Sequence, residues 1–350
     1  MCVGVWSVGY YAVFGVISMI MLCLTAEAVW NLNPTALSSF LDLGCFKPLS
    51  PFIHFYAPNF SYYKNRHFCN ASQVFSSISV TGRTCALNCK HCNGKLLQTM
   101  RSAISPQELY ALGLKLKLDG VRGVLVSGGC LADGLVPLDK FMGVFGQFKH
   151  ELGLSVFVHT GLIGEQSAVL LKQAGIDVAL IDVIGSQKTI QTVFNTNLNL
   201  QDYRASLKSL HGAQLVVIPH VIVGLNEGKL EGEYAALKII KEALNPAAIV
   251  IIAFIPLPGT EMAQTPPPHP LDVAKTVAVA RTMFPHTPLA LGCMRPKGKH
   301  RSQTDVLALK AGVDAIAFPS PEAIEYAKKS GYKTVFSSYC CAQLYQDFKL

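Results

Sequence analysis

At 350 residues, half of them hydrophobic and only 15% charged, the chain has material for a large buried core, which excludes a disordered protein. Its 30 basic and 22 acidic residues leave a formal charge of +8, spread too diffusely for a nucleic-acid track and joined by no RNA or DNA motif. That excess favours an anionic substrate or partner, and eleven cysteines in a chain this long are not a small disulfide scaffold.

No charged residue occurs from Met1 to Ala26, and Val3–Leu24 is long enough to span a bilayer. The segment lacks the basic start of a secretory signal. The first basic residues are Lys47, Lys64 and Arg66, so the positive-inside rule would keep everything downstream in the cytoplasm. Two readings stand for residues 1–30: a membrane anchor with the catalytic domain inside, or an artefact of a misassigned start. Residues 31–75 carry Pro, Asn and several aromatics and read as an irregular lead-in packed on the main domain, residues 76–350. The sequons Asn59-Phe-Ser and Asn70-Ala-Ser read as chance matches.

From residue 76 short apolar runs alternate with amphipathic segments. The runs are Ser77–Thr81, Gly123–Ser127, Leu154–Thr160, Asp177–Asp182, Gln214–Val223, Ala248–Ile255, Pro288–Gly292 and Asp314–Phe318. All are rich in Val, Ile or Leu, as strands buried on both faces are. Between them, Ser105-Pro106 is a helix cap followed by proline at the first helical position. Eight strands alternating with helices predict an α/β fold of the (β/α) TIM-barrel type, complete or nearly so. An open doubly wound sheet is the rival, and the strand count favours the barrel.

The most informative segment is Thr81–Gly94, TGRTCALNCKHCNG, whose cysteines Cys85, Cys89 and Cys92 are spaced C-x3-C-x2-C directly after the first of these runs. Three thiolates from one loop can hold three irons of a cubane and leave the fourth iron open to a bidentate ligand. A zinc knuckle would require a second ligand pair at finger spacing, and none follows. Further along the chain, the strand ends carry Ser127-Gly128-Gly129-Cys130, His159, Asp182, His220, Cys293 and Arg295, and the chain finishes with Cys340 and Cys341. Chemistry in barrels sits at these carboxyl ends. Asp182 suits either a ribose contact or a helix cap, and each lone histidine suits either a substrate contact or a hydrogen-bonded core position. The loop Arg295–Arg301 is strongly basic and fits either a carboxylate or phosphate clamp or a solvated turn, with Arg295 its most promising member.

The motif Cys85, Cys89, Cys92 resembles that of the radical S-adenosylmethionine superfamily, and the likeness extends from about residue 52 to the end. Together FYAPNFSYY, SVTGRTCALNCKHC, VSGGC, PHVIVGLNEG, LGCMRPKGKHR and the terminal Cys-Cys look like the biotin synthase-related enzymes of archaea and anaerobes, some of which form half of a two-protein lipoyl synthase. The resemblance implies a [4Fe–4S] cluster on Cys85, Cys89 and Cys92. It implies S-adenosylmethionine held by Ser127, Gly128 and Gly129, by Asp182, and by the backbone from Ile222 to Gly224. It also implies a second iron–sulfur cluster on Cys130, Cys293, Cys340 and Cys341, sacrificed for sulfur insertion into an octanoyl chain, with His159, His220 and Arg295 facing substrate. The partners implied are an acidic lipoyl-type carrier domain, a second radical S-adenosylmethionine protein and a ferredoxin or flavodoxin donor, with no nucleic acid. Two departures stand out: His91 occupies a position commonly aromatic in the superfamily, and His159 and His220 stand where biotin synthases carry cluster ligands. The alternatives are a single-cluster enzyme that abstracts hydrogen without moving sulfur, and a membrane-tethered metal-binding protein without catalysis.

Overall fold

The computed structural model describes residues 24–58, 61–70, 74–194 and 196–348. The apolar stretch that precedes Leu24, read above as anchor or artefact, lies outside the described residues, as does Asn59. Among the described residues no helix is long and apolar enough to cross a membrane.

Eleven strands form one parallel sheet: β1 Phe52–Tyr56, β2 Phe75–Ser79, β3 Arg101–Ser102, β4 Gly123–Ser127, β5 Ser155–His159, β6 Val178–Asp182, β7 Val217–Val223, β8 Ile249–Ala253, β9 Leu289–Leu291, β10 Ala315–Ala317 and β11 Lys333–Ser337. The order β11-β1-β10-β9-β8-β7-β6-β5-β4-β2-β3 has two free edges, so the sheet curls as a half-barrel and its ladder does not close. All eight expected runs are strands within it. Residues 31–75 need correction, because they are not irregular throughout. Asn33 caps a helix over Pro34–Asp42, and β1 pairs along its length with β11 and from His54 to Tyr56 with β10.

The two faces of the sheet separate by parity. Val124, Val126, Val156, Val158, Ile181 and Val221 face out and pack under the helices. Phe75, Phe157, Leu180, Ile218, Val250 and Ala290 face the concave side. Ser105 caps the first of the covering helices, Pro106–Leu118, by accepting from the Glu108 N–H at 3.2 Å. At the amino ends of the strands the buried Arg281 pairs with Asp314, whose carboxylate also accepts from the Leu49 and Leu289 N–H groups. That carboxylate ties the lead-in to β9.

The lumen is filled by the last described segment. After β11 the chain turns inward, and Cys340, Cys341, Leu344 and Tyr345 are buried among the concave-face side chains. Tyr339 meets Phe75, and Tyr345 meets Phe157 edge-on. Ala290, Ala315 and Ala317 on the same face are small enough to admit it.

Candidate active site

The cysteine loop follows β2 and is held at three places. The Ala86 N–H donates to the Cys130 carbonyl at 2.8 Å, and the Lys90 N–H donates to the Val193 carbonyl at 2.9 Å. At the end of β4 the Gly129 N–H donates to Thr81 Oγ1 at 2.7 Å. Asn88 and Asn93 take left-handed backbone angles, φ 44° and 43°, a conformation asparagine tolerates better than most residues. Gly129 is required by contact: a Cβ there would lie 2.0 Å from the Thr84 carbonyl oxygen and 2.6 Å from Cys85 Cα.

Behind this loop opens a cavity of about 400 Å³. Cys85, Cys89 and Cys92 line it, and so do Ser127, Gly128, Gly129, Cys130, His159, Asp182, His220, Ile222, Cys293, Cys340 and Cys341. Most of the remaining surface is aliphatic: Leu125, Leu180, Val250 and Ile252 all face in. The reason is parity again. Ser127, His159 and Asp182 are the last residues of β4, β5 and β6, each two positions beyond an inward-facing Leu125, Phe157 or Leu180.

Cys89, His91 and Cys92 bring their ligand atoms within 4.8 Å of one another, while Cys85 stands outside that group against Gly129. Hydrogen bonding from Cys89 holds the Cys92 thiol down to about 4, aided by His91, and the same bond pushes the Cys89 thiol up. His91 packs edge-on against Phe194, and its Nδ1 is buried without a partner.

A second cluster of ligand atoms was visible in the sequence only as separate residues. His159, Asp182 and His220 bring theirs within 4.8 Å on adjacent strands, with His159 Nε2 3.5 Å from Asp182 Oδ1. Burial works against the Asp182 charge, yet the neighbouring His159 wins and holds the carboxyl down at about 2. Burial likewise opposes His159 protonation, but Asp182 raises its pKa above the ordinary histidine value. For His220 burial prevails and pushes it down to about 4.

The four cysteines expected to share an auxiliary cluster fall into two sets. The Cys130 carbonyl accepts from the Ala86 N–H, so Cys130 belongs to the cysteine-loop side. Cys293 follows β9, and Cys340 and Cys341 follow β11, so these three line the cavity from the other arm of the sheet.

Two expectations need correction. Arg295 has no access to the cavity: it is fully buried and forks onto Asp305, with Nε to Oδ1 at 2.7 Å and Nη2 to Oδ2 at 3.1 Å. Two further donors go to the Gly292 and Phe318 carbonyls, and the side chain does not line the cavity. Gly224 has φ +75° and packs on Pro268, and its N–H donates to Glu233 Oε1 at 2.8 Å. Its carbonyl accepts from the Gly228 N–H at 2.9 Å, and Gly224 does not line the cavity, so its N–H is not available for a base. Tyr203, Phe194 and Phe254 also line the cavity, from helix and loop positions that no sequence motif marks.

No protein-family model matches the chain. It is 24% identical over 254 residues to the biotin synthase of Ruthia magnifica subsp. Calyptogena magnifica, covering 71% of this chain and 77% of the relative. To the biotin synthase of Neorickettsia sennetsu it is 29% identical over 168 residues, 48% of this chain and 51% of the relative. Among solved structures, HydG, a maturase of the [FeFe]-hydrogenase, superposes with a TM-score of 0.64 at 18% identity, covering 95% of this chain and 76% of its own. Methylornithine synthase (PylB) gives 0.60 at 13% identity, covering 91% of this chain and 97% of its own. At such identities the two structures speak for the fold.

Proposed function

Since the chain is a biotin synthase-related protein of the radical S-adenosylmethionine superfamily, we infer that it inserts sulfur into an unactivated C–H bond of an aliphatic substrate. The residues present fit the groups this requires. Three cysteines on one loop face a single cavity, the glycine behind Cys85 approaches so closely that no side chain fits, and the buried His91 Nδ1 has no partner of its own. Cys85, Cys89 and Cys92 would hold a [4Fe–4S] cluster, which together with S-adenosylmethionine would supply the radical chemistry that removes hydrogen from carbon.

The chain's own residues do the rest. Ser127, Gly128 and Gly129 form the wall beside the cysteine loop where the methionine end is held, with Asp182 and Ile222 further round the same cavity. The aliphatic lining from Leu125 to Ile252 excludes water and suits an acyl chain better than a polar one. Cys293, Cys340 and Cys341 on the far wall are the ligands proposed for a second, sulfur-donating cluster. That gathering is the observation that carries the reading, because a spent sulfide needs a cluster distinct from the first. An octanoyl chain on an acidic lipoyl-type domain, a second radical S-adenosylmethionine protein and a ferredoxin or flavodoxin donor complete the proposal.

A second reading, hydrogen abstraction with one cluster and no sulfur transfer, is favoured by the separation of Cys130 from the other three cysteines and by the histidines at β5 and β7. Iron and acid-labile sulfide after anaerobic reconstitution decide between the two. Sulfur insertion predicts about eight irons per chain, falling to about four in Cys85/Cys89/Cys92→Ala. About four in the wild type and none in the triple variant leaves the single-cluster reading.

A further inference from the structure

The geometry points to a mononuclear metal site on the cavity wall, in which His159, Asp182 and His220 bind one divalent transition-metal ion of the iron(II), cobalt(II) or zinc(II) class. The three ligand atoms converge within 4.8 Å from three neighbouring parallel strands, the last residues of β5 and β6 and the middle of β7, a rigid platform rather than a loop. β6 and β7 pair in register at Asp182 and His220, while His159 pairs with Leu180, two residues before Asp182. The three donors therefore lie on one inward face.

The surroundings of the triad suit a cation better than a plain ion pair. His220 Nδ1 lies 3.2 Å from the Ile218 carbonyl, which accepts only if that nitrogen carries the proton, and Nε2 is then left with a lone pair. A backbone carbonyl fixing one ring nitrogen so that the other can bind metal is the usual support of a histidine ligand. The Asp182 carboxylate, among the described residues, has no backbone donor, and its only close cation is His159 at 3.5 Å. Two imidazoles and one carboxylate on a single face form a donor set that selects borderline metals and leaves coordination positions open. Those positions face the cavity, where an anionic oxygen on the substrate can be anchored beside the cysteine loop. The site uses no cysteine, so it is independent of the second-cluster proposal, and it gives Asp182 to the metal in place of the S-adenosylmethionine contact that the resemblance implies.

The test uses cobalt(II) as probe on the full-length chain with its cluster reconstituted, and on Cys85/Cys89/Cys92→Ala. One cobalt per chain should bind in both, giving ligand-field absorption without intense thiolate-to-metal charge transfer. His220→Asn or Asp182→Asn should weaken binding at least about 10-fold, and His91→Asn should leave it unchanged. Absence of stoichiometric uptake, uptake unaffected by His220→Asn, or a thiolate-dominated spectrum would each overturn the assignment. Should a histidine variant fail to fold by circular dichroism, zinc-edge X-ray absorption on the wild type gives the answer. Histidine scattering without a sulfur shell supports the site, and a sulfur shell refutes it.

Discussion

At the scale of single residues, Arg295 shows how far a local motif can mislead. A cluster of basic residues beside a cysteine reads as an anion clamp, but the arginine is the hub of a buried network of Asp305, Gly292 and Phe318. Asp305 depends on it, its one further donor among the described residues being the Ser320 N–H at 2.8 Å. Arg295→Ala therefore strands a buried carboxylate and should cost about 3–5 kcal/mol of stability, seen as a lower denaturation midpoint. Cluster iron per folded chain should not change, whereas a substrate clamp would leave the midpoint intact and weaken anion binding. The cysteine loop was legible because its spacing is local and its chemistry admits few alternatives. What Arg295 does was not, because its partners lie 10 and 23 positions along the chain.

At the scale of elements, the eight central strands were legible because both their faces are buried and their Val, Ile and Leu runs stand out. β1 and β11 were not. The β1 sequence FIHFY interleaves a histidine with aromatics, and β11 is an edge strand with no fully buried residue. The convergence of His159, Asp182 and His220 was half-legible. That His159 and Asp182 end their strands follows from sequence, and counting parity from Phe157, Leu180 and Ile218 would have put all three on the concave face.

The junction from β7 to the helix Glu233–Ala243 carries its own prediction. Glu233 accepts from Gly224, but its Oε2 is buried without a partner, and burial raises its carboxyl from 4.5 to about 7. A carboxyl that binds its proton more tightly when folded contributes stability that is fully present below pH 4.5 and is lost as pH rises through about 7. Between about pH 5 and about pH 8 this residue should cost on the order of 2–3 kcal/mol. Glu233→Gln should flatten that slope in urea melts. An unchanged slope would mean that the proton is not held there.

At the scale of the whole molecule, the barrel architecture was legible, but two of its features were not. The sheet remains open between β3 and β11, a property of closure that no strand count reports. The lumen is occupied by the segment from Tyr339 to Tyr345, a tertiary choice with no local signature. Each large apolar side chain buried there contributes roughly 1.5–3 kcal/mol. Deleting residues 339–350 should therefore lower the thermal midpoint sharply and raise binding of a hydrophobic dye. Cys340→Ser with Cys341→Ser should keep the midpoint within a few degrees and lose only iron. Equal damage from both changes would mean that the tail acts through its sulfurs rather than its packing.

That inward turn also dictates an order of assembly. Residues 339–347 leave the ribosome after every strand that surrounds them. The earlier strands can therefore pair, and the cysteine loop can take shape, before that segment enters the lumen. A lumen still open at that stage leaves Cys85, Cys89 and Cys92 reachable from within, and the segment bearing Cys340 and Cys341 closes over it afterwards, like a floor laid once the furniture is in.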